Sequence, residues 1–392
     1  MRQVVVSVAF AISLVLILGT SGCASASPQT ETQVTEFDTY TAQLQALPGV
    51  QQVDLNASEQ TSSVSLNVQL VDDVEPAALA EIGSAVANFI PTAEEHGYVP
   101  TGPAIRLDES VYAYFNGLTT EQVQDQLGYW LGLVRTGVNS VQMRTYTSTN
   151  NVPAKGTVGA AKTTEQPPRY VLVDLPPDIT EESLRSLIDG LAAIKDPGAP
   201  GGQWDFLNLA PQTKGEYAEP SFPSTTELSY AVTAGNHFAE VDGLANVEVI
   251  RDAGHDTPLQ IRIAVFDDAM DGVGSGDAAA VFENTEAWTH LVDLVALLET
   301  AGSLDYSVRV LANPLNDGGN FQLDFSVHGC KFEADSTWPE LATALNGVWE
   351  EHAASARFDA DPTCKKPSDK SHQAHPDETS GDSSEATDPQ AP

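Results

Sequence analysis

The sequence predicts an α+β fold of two ferredoxin-like units, each an antiparallel sheet with helices packed on one face. Three observations carry the expectation. The hydrophobic period switches between 3.6 and 2 along the chain, in the recurring order helix, strand, strand. The same order restarts after a Pro-rich stretch at 211–223. One helix-to-strand joint also recurs. Leu47-Pro-Gly-Val-Gln-Gln-Val-Asp-Leu55 aligns without gaps to Val241-Asp-Gly-Leu-Ala-Asn-Val-Glu-Val249, 194 residues later, and Arg135-Thr-Gly-Val-Asn-Ser-Val-Gln-Met143 matches from its glycine onward. In each joint glycine supplies the left-handed residue that stops a helix, and alternation then starts a strand. A doubly wound parallel sheet is the alternative, and the paired strands between helices argue against it.

The elements follow in order. Val34, Phe37 and Leu44 mark a helix that ends at Pro48-Gly49. Val50, Val53 and Leu55 and then Val64, Leu66, Val68 and Leu70 give a hairpin with one dry face. Leu79, Ile82, Val86, Phe89 and Ile90 line a helix with Pro76 in its first turn. Short strands at 104–107 and 111–115 precede a helix opened by Thr119 and Gln122 at capping-box spacing. Strands at 138–143, 170–175 and 204–209 flank a helix bearing Leu184, Leu187, Ile188 and Leu191. Beyond the expected linker, Ser224 and Glu227 cap a helix running to Gly243, and strands at 247–250 and 259–266 follow. A helix with Trp288, Leu291 and Val295 leads to strands at 306–311 and 321–327. Thr337 and Glu340 are expected to cap the last helix.

The resulting division is a signal segment at 1–22, a linker at 23–33, a first α+β unit at 34–210, a linker at 211–223, a second unit at 224–364 and a disordered acidic tail at 365–392. With 392 residues, either half is large enough to bury its own core. Acidic residues number 55 against 18 basic ones, and removing Arg2 with the signal leaves 17 minus 55, or −38. Such a surface repels phosphate backbones and anionic headgroups, which argues against nucleic acid as a partner.

The first residues read as an export signal. Arg2 is followed by the apolar run Val4 to Leu18, which as a helix reaches ~22 Å, short of the ~30 Å of a bilayer core. The run then gives way to Gly19-Thr20-Ser21-Gly22-Cys23. This end resembles the lipobox of bacterial lipoproteins, although Thr20 stands where that family usually has Leu. The resemblance implies cleavage before Cys23, diacylglycerol and palmitate on Cys23, and a place at the extracytoplasmic face of the membrane. Ala24-Ser25-Ala26 also satisfies the small-x-small rule of ordinary signal peptidase, and a cut after Ala26 would secrete the chain. Cys330 and Cys364, 34 positions apart, remain as a pair expected to form a disulfide in an oxidising compartment.

Chemistry is harder to find. The chain has no Gly-x-Ser-x-Gly, P-loop, His-Glu-x-x-His or dinucleotide fingerprint, so neither a catalytic residue nor a cofactor is expected from motifs. The eight histidines are scattered, and only His372 and His375, in the tail, are close in sequence. Cys330 and Cys364 lack metal-ligand spacing. The acidic loop with Asp267, Asp268, Asp271 and Asp277 is the one weak metal candidate, and it departs from an EF-hand at Ala269 and Ala278. Tyr112 and Tyr114 share a strand face and offer either an aromatic platform for a sugar or partner, or core packing. Three functions are weighed: a non-catalytic binding or scaffolding lipoprotein of the envelope, the solute-binding component of an importer, and an envelope hydrolase using His255 or His290 with a nearby acid. The first leads.

Overall fold

In a computed structural model the described residues are 31–114, 118–145, 169–177, 179–197, 202–218, 222–239, 241, 244–252, 257–298, 304–335 and 337–353. They form a mixed α/β fold on one 14-stranded sheet. Helix α1 (Glu31–Gln45) leads into the hairpin β1 (Val50–Ser58) and β2 (Ser63–Leu70). Helices α2 (Pro76–Ala87) and α3 (Phe89–Glu95) and the short β3 (Val99–Pro100) carry the chain to β4 (Ala104–Leu107) and β5 (Ser110–Tyr114). Helix α4 (Thr120–Val134) precedes β6 (Ser140–Thr145) and β7 (Arg169–Asp174), and α5 (Glu181–Ala193) precedes β8 (Gly202–Ala210) and β9 (Thr213–Ala218). Helix α6 (Thr225–Ala239) precedes β10 (Leu244–Asp252) and β11 (Leu259–Phe266). Helices α7 (Ala278–Phe282) and α8 (Glu286–Leu297) lead to β12 (Tyr306–Pro314), β13 (Asn320–His328) and β14 (Lys331–Ala334), and α9 (Pro339–Val348) follows.

The order helix, strand, strand is present, but the pairing is not that of two ferredoxin-like units. Each hairpin is antiparallel, and the strand after each crossover lies parallel to the strand just before it: β2 to β4, β5 to β6, β7 to β8, β9 to β10 and β11 to β12. The sheet therefore grows by two strands per step in chain order and is mixed, where two antiparallel sheets were expected. The stretch 211–223, expected as a linker, contains β9, whose residues 213–218 pair with 247–252 of β10. Three prolines made this stretch read as a boundary, yet Thr213, Gly215 and Tyr217 alternate into the core.

One face of the sheet is dry. Across the strands Val68, Ile105, Tyr112, Met143, Val171, Trp204, Tyr217, Val249, Ile261, Val308 and Phe325 sit on this face and join the helices in one apolar cluster. Trp130 on α4 donates its indole N–H to Val141 O at 3.1 Å, and Tyr114 donates to Val86 O at 2.6 Å, so these two buried polar tips are satisfied. With every crossover helix on that face, and with the strand before each crossover reversing direction from step to step, successive crossovers alternate in hand. That departs from the usual right-handed rule.

Local chemistry accounts for the helix ends. Thr119 and Gln122 close a reciprocal capping box at α4, and Ser224 and Glu227 do the same at α6. The helix expected over Leu79 to Ile90 divides at Asn88, because Pro91 in the first turn of α3 has no N–H for the carbonyl four residues back. Thr337 does not cap α9: its N–H and O–H both donate to Asp335, and Trp338 takes the cap position ahead of Pro339. The three repeated joints fall at the entries to β1, β6 and β10, four strands apart along the sheet, where the chain enters strands of the same direction. Gly49 and Gly137 hold φ of 85° and 94° there.

Candidate functional site

Several of the expected site residues have other tasks. Tyr112 and Tyr114 are 0% and 2% exposed and stack on each other beneath the helices, so they form core and no platform. Tyr112 shares a hydrogen bond of 3.2 Å with Thr145, and burial pushes its phenol up. The acidic loop does not gather its carboxylates. Asp267 accepts from Ala269 N at 2.8 Å, Asp271 accepts from Asn313 Nδ2 at 2.6 Å, and Asp277 stands at the N-terminus of α7. Asp267 and Asp271 thus hold the loop's own shape. Cys330 lies in the tight turn between β13 and β14, next to Gly329 with φ of 57°. Cys23, Cys364, His255, His372 and His375 lie outside the described residues.

Two features do bring functional groups together. The first is the sheet face without helices. Along one row of cross-strand neighbours, Lys214, Glu248, Arg262, Arg309 and Asp324 form a charged ladder over β9 to β13. Lys214 pairs with Glu248 and with Glu216 at 3.0 Å, Arg262 with Glu248 at 3.3 Å, and Arg309 with Asp324 at 2.7 Å. A shallow groove of about 500 Å³ continues the ladder, lined by Gln260, Arg262, Arg309, Asp324, Glu333 and Asp335. One row away, burial raises the Asp205 carboxyl, against the pull of Tyr170 O–H at 2.7 Å and Gln203 Nε2 at 2.9 Å. Burial likewise raises Glu216, against Lys214. These strands show a half-and-half alternation because one face meets helices and the other meets water.

The second feature lies among the helices. His237 sits in the last turn of α6, where a basic group suits the helix dipole. His290 and Asp293 are three residues apart on α8 and share one face of it. Helix α6 settles onto the β8–β9 turn because Gly235 lacks a side chain. A Cβ there would stand 2.0 Å from Thr213 Oγ1 and 2.6 Å from Ala210 Cβ. Leu291, Leu294 and Val295 seat α8 alongside. The result places a ligand atom from each of His237, His290 and Asp293 within 4.8 Å of one another. The two imidazole rings meet edge to face at 6.2 Å, and Phe238 flanks His290 at 6.2 Å. His290 Nδ1 is buried with no hydrogen-bond partner. Among the described residues this is the one such cluster.

The sequence reading sets His290 beside an unspecified nearby acid, counts His237 only among the scattered histidines and does not single out Asp293. The spacing of His290 and Asp293 on an apolar helix was the available signal, and His237 lies 53 positions away, beyond reach of any local pattern. Strands β9 and β10 pair directly at the boundary where two units were expected to separate, so the sheet runs on across it. Among the described residues no helix is long and apolar enough to cross a membrane. Compared with protein-family models, with curated proteins and with solved structures, the chain matches none.

Proposed function

We propose that the mature chain is a lipoprotein of the cell envelope, held at the extracytoplasmic face of the membrane by diacylglycerol on Cys23, and that it serves as a non-catalytic binding or scaffolding protein. The observation that carries the reading is the polar sheet face, to which strand after strand contributes side chains and on which, among the described residues, no helix lies. An open surface that carries both signs of charge suits another protein of the envelope better than it suits a small solute, which needs an enclosing pocket. The segment 24–33 extends at most ~35 Å, so the sheet stays near the bilayer. The charge of −38 keeps polyanions away.

Two measurements test the proposal. Mass spectrometry of the native product should find an acylated N-terminal Cys23, and Cys23→Ala should move the chain from membranes to the medium. A product that starts at Ser27 refutes the tether. Cross-linking pull-downs from membranes should then recover a partner with the wild type and lose it with Arg262→Glu/Arg309→Glu. Equal recovery by both refutes the face, and turnover of a hydrolase substrate refutes the non-catalytic reading.

A further inference from the structure

We propose that His237, His290 and Asp293 form a binding site for a zinc-type divalent ion, which clamps α6 to α8 and leaves a fourth coordination position for water or for a group from a partner. The proposal is independent of the lipid tether and of the sheet face, and it stands on three observations.

The donor set is the first. Two imidazoles and one carboxylate match zinc and its first-row neighbours, whereas calcium and magnesium ask for oxygen alone. No thiolate is present, so the site is insensitive to the oxidising conditions in which Cys330 and Cys364 are expected to pair.

Geometry is the second. Around a tetrahedral ion with Zn–N of ~2.0–2.1 Å, ligand atoms stand ~3.3 Å apart. The three ligand atoms already lie within 4.8 Å of one another. The difference is at most about 1.5 Å, between side chains on two helices already seated, α6 by Gly235 and α8 by Leu291 and Leu294. His290 and Asp293 come from one helix and His237 from the next, so an ion bound by all three joins two successive steps of the chain.

The unpartnered nitrogen is the third. A buried polar atom without a hydrogen bond loses its water and gains nothing in exchange. His290 Nδ1 is in that position, with Phe238 against its ring. A cation held between this ring, a second imidazole and a carboxylate offers such a nitrogen the partner it lacks. Asp293 is the most exposed of the three and leaves the ion open to solvent on that side, which makes the fourth position exchangeable.

The test titrates metal-stripped, full-length mature protein with zinc chloride by isothermal calorimetry, with calcium and magnesium chloride as controls. The expected result is one zinc site per chain, no calcium or magnesium response, and affinity that falls as acid protonates the imidazoles. His237→Ala and His290→Ala should each weaken zinc at least ~100-fold, since loss of a mere outer partner costs 10- to 100-fold. Asp293→Asn should weaken it less. Circular dichroism of each metal-free variant separates lost ligands from lost fold, and His290→Asn offers a second, milder variant. Cobalt added to the wild type should give the visible absorption of a low-coordinate nitrogen site, and this band should disappear with His237→Ala. No zinc binding by the wild type overturns the proposal. So does binding that survives His237→Ala and His290→Ala but is lost with His372→Ala/His375→Ala, which would assign it to the tail.

Discussion

Asp196→Asn should destabilise the fold by about 3 kcal/mol, and adding Arg169→Met should restore most of the loss. Arg169 enters the core from β7 with its side chain 2% exposed, pairs with Asp196, and lies 4.3 Å above the ring of Tyr129. Gln126 Oε1 accepts from it at 3.5 Å, while its Nε has no partner. At about 3 Å and an effective dielectric of about 20, the gross attraction of such a pair is ~5 kcal/mol. Removing one member of a buried pair costs ~3–5 kcal/mol, because the other charge stays dry and uncompensated. Asp196 is 31% exposed, so water already screens part of the attraction and the lower end applies. In the double variant the stranded charge is gone. The thioether of methionine fills the stem's place against Tyr129 and Trp204, so the deficit should fall to about 1 kcal/mol. Urea unfolding followed by tryptophan fluorescence reads both values, since Trp130 and Trp204 lie in this part of the core. A double variant no more stable than Asp196→Asn alone would refute the reasoning, and so would an Asp196→Asn that loses under ~0.5 kcal/mol.

Three further outcomes are expected. Asp205→Asn should leave the protein at least as stable as the wild type at pH 7. The raised carboxyl is ionised there against its preference, and Asn still accepts from Tyr170. A raised acid favours the fold when protonated, so this advantage should vanish as pH falls through the folded value and below the ordinary carboxylate range near ~4; urea midpoints across that window read it. Gly235→Ala should cost ~1–3 kcal/mol by overpacking against Thr213 and Ala210, and in thermal unfolding Gly235→Ala/Thr213→Ser should recover nothing while the Oγ remains in place. Cys330→Ser should remove ~3–4 kcal/mol on the chain-entropy account of a 34-residue loop, measured against oxidised wild type; equal stability of the two would show that Cys330 and Cys364 do not staple the fold.

Much of the secondary structure was legible because its signals are local. The alternation from Val64 to Leu70 names a half-buried strand wherever that strand ends up, and Thr119 with Gln122 closes its box within four residues. Errors arose where a local cue competed with a distant one. Pro211, Pro220 and Pro223 hid β9, whose alternation is shared with a glycine and stabilised by neighbours on both sides. Thr337 found Asp335 before it found the helix. Tyr112 and Tyr114 were rightly placed on one face, but whether that face met water or a helix rested on where α2 and α4 packed.

The recurring glycine joint behaved in the same way. It marks three helix-to-strand entries at Leu47, Arg135 and Val241, separated by 88 and then 106 positions, and in the sequence it reads as a sign of two halves. In the fold these entries recur every four strands of one sheet, so the period belongs to a pair of hairpins.

From the amino acids alone came the export-like start, the acidic balance, the succession of helices and strands and the apolar face of each. All of these depend on neighbours within a turn or a strand, where covalent spacing dictates the geometry. Folding alone decided which strand docks beside which, that the helices described gather on one face of the sheet, and that His237 meets His290 and Asp293. Backbone edges pair with any compatible edge, and helices pack by shape, so contacts between distant residues are selected by the whole core and leave no trace in any short stretch of chain.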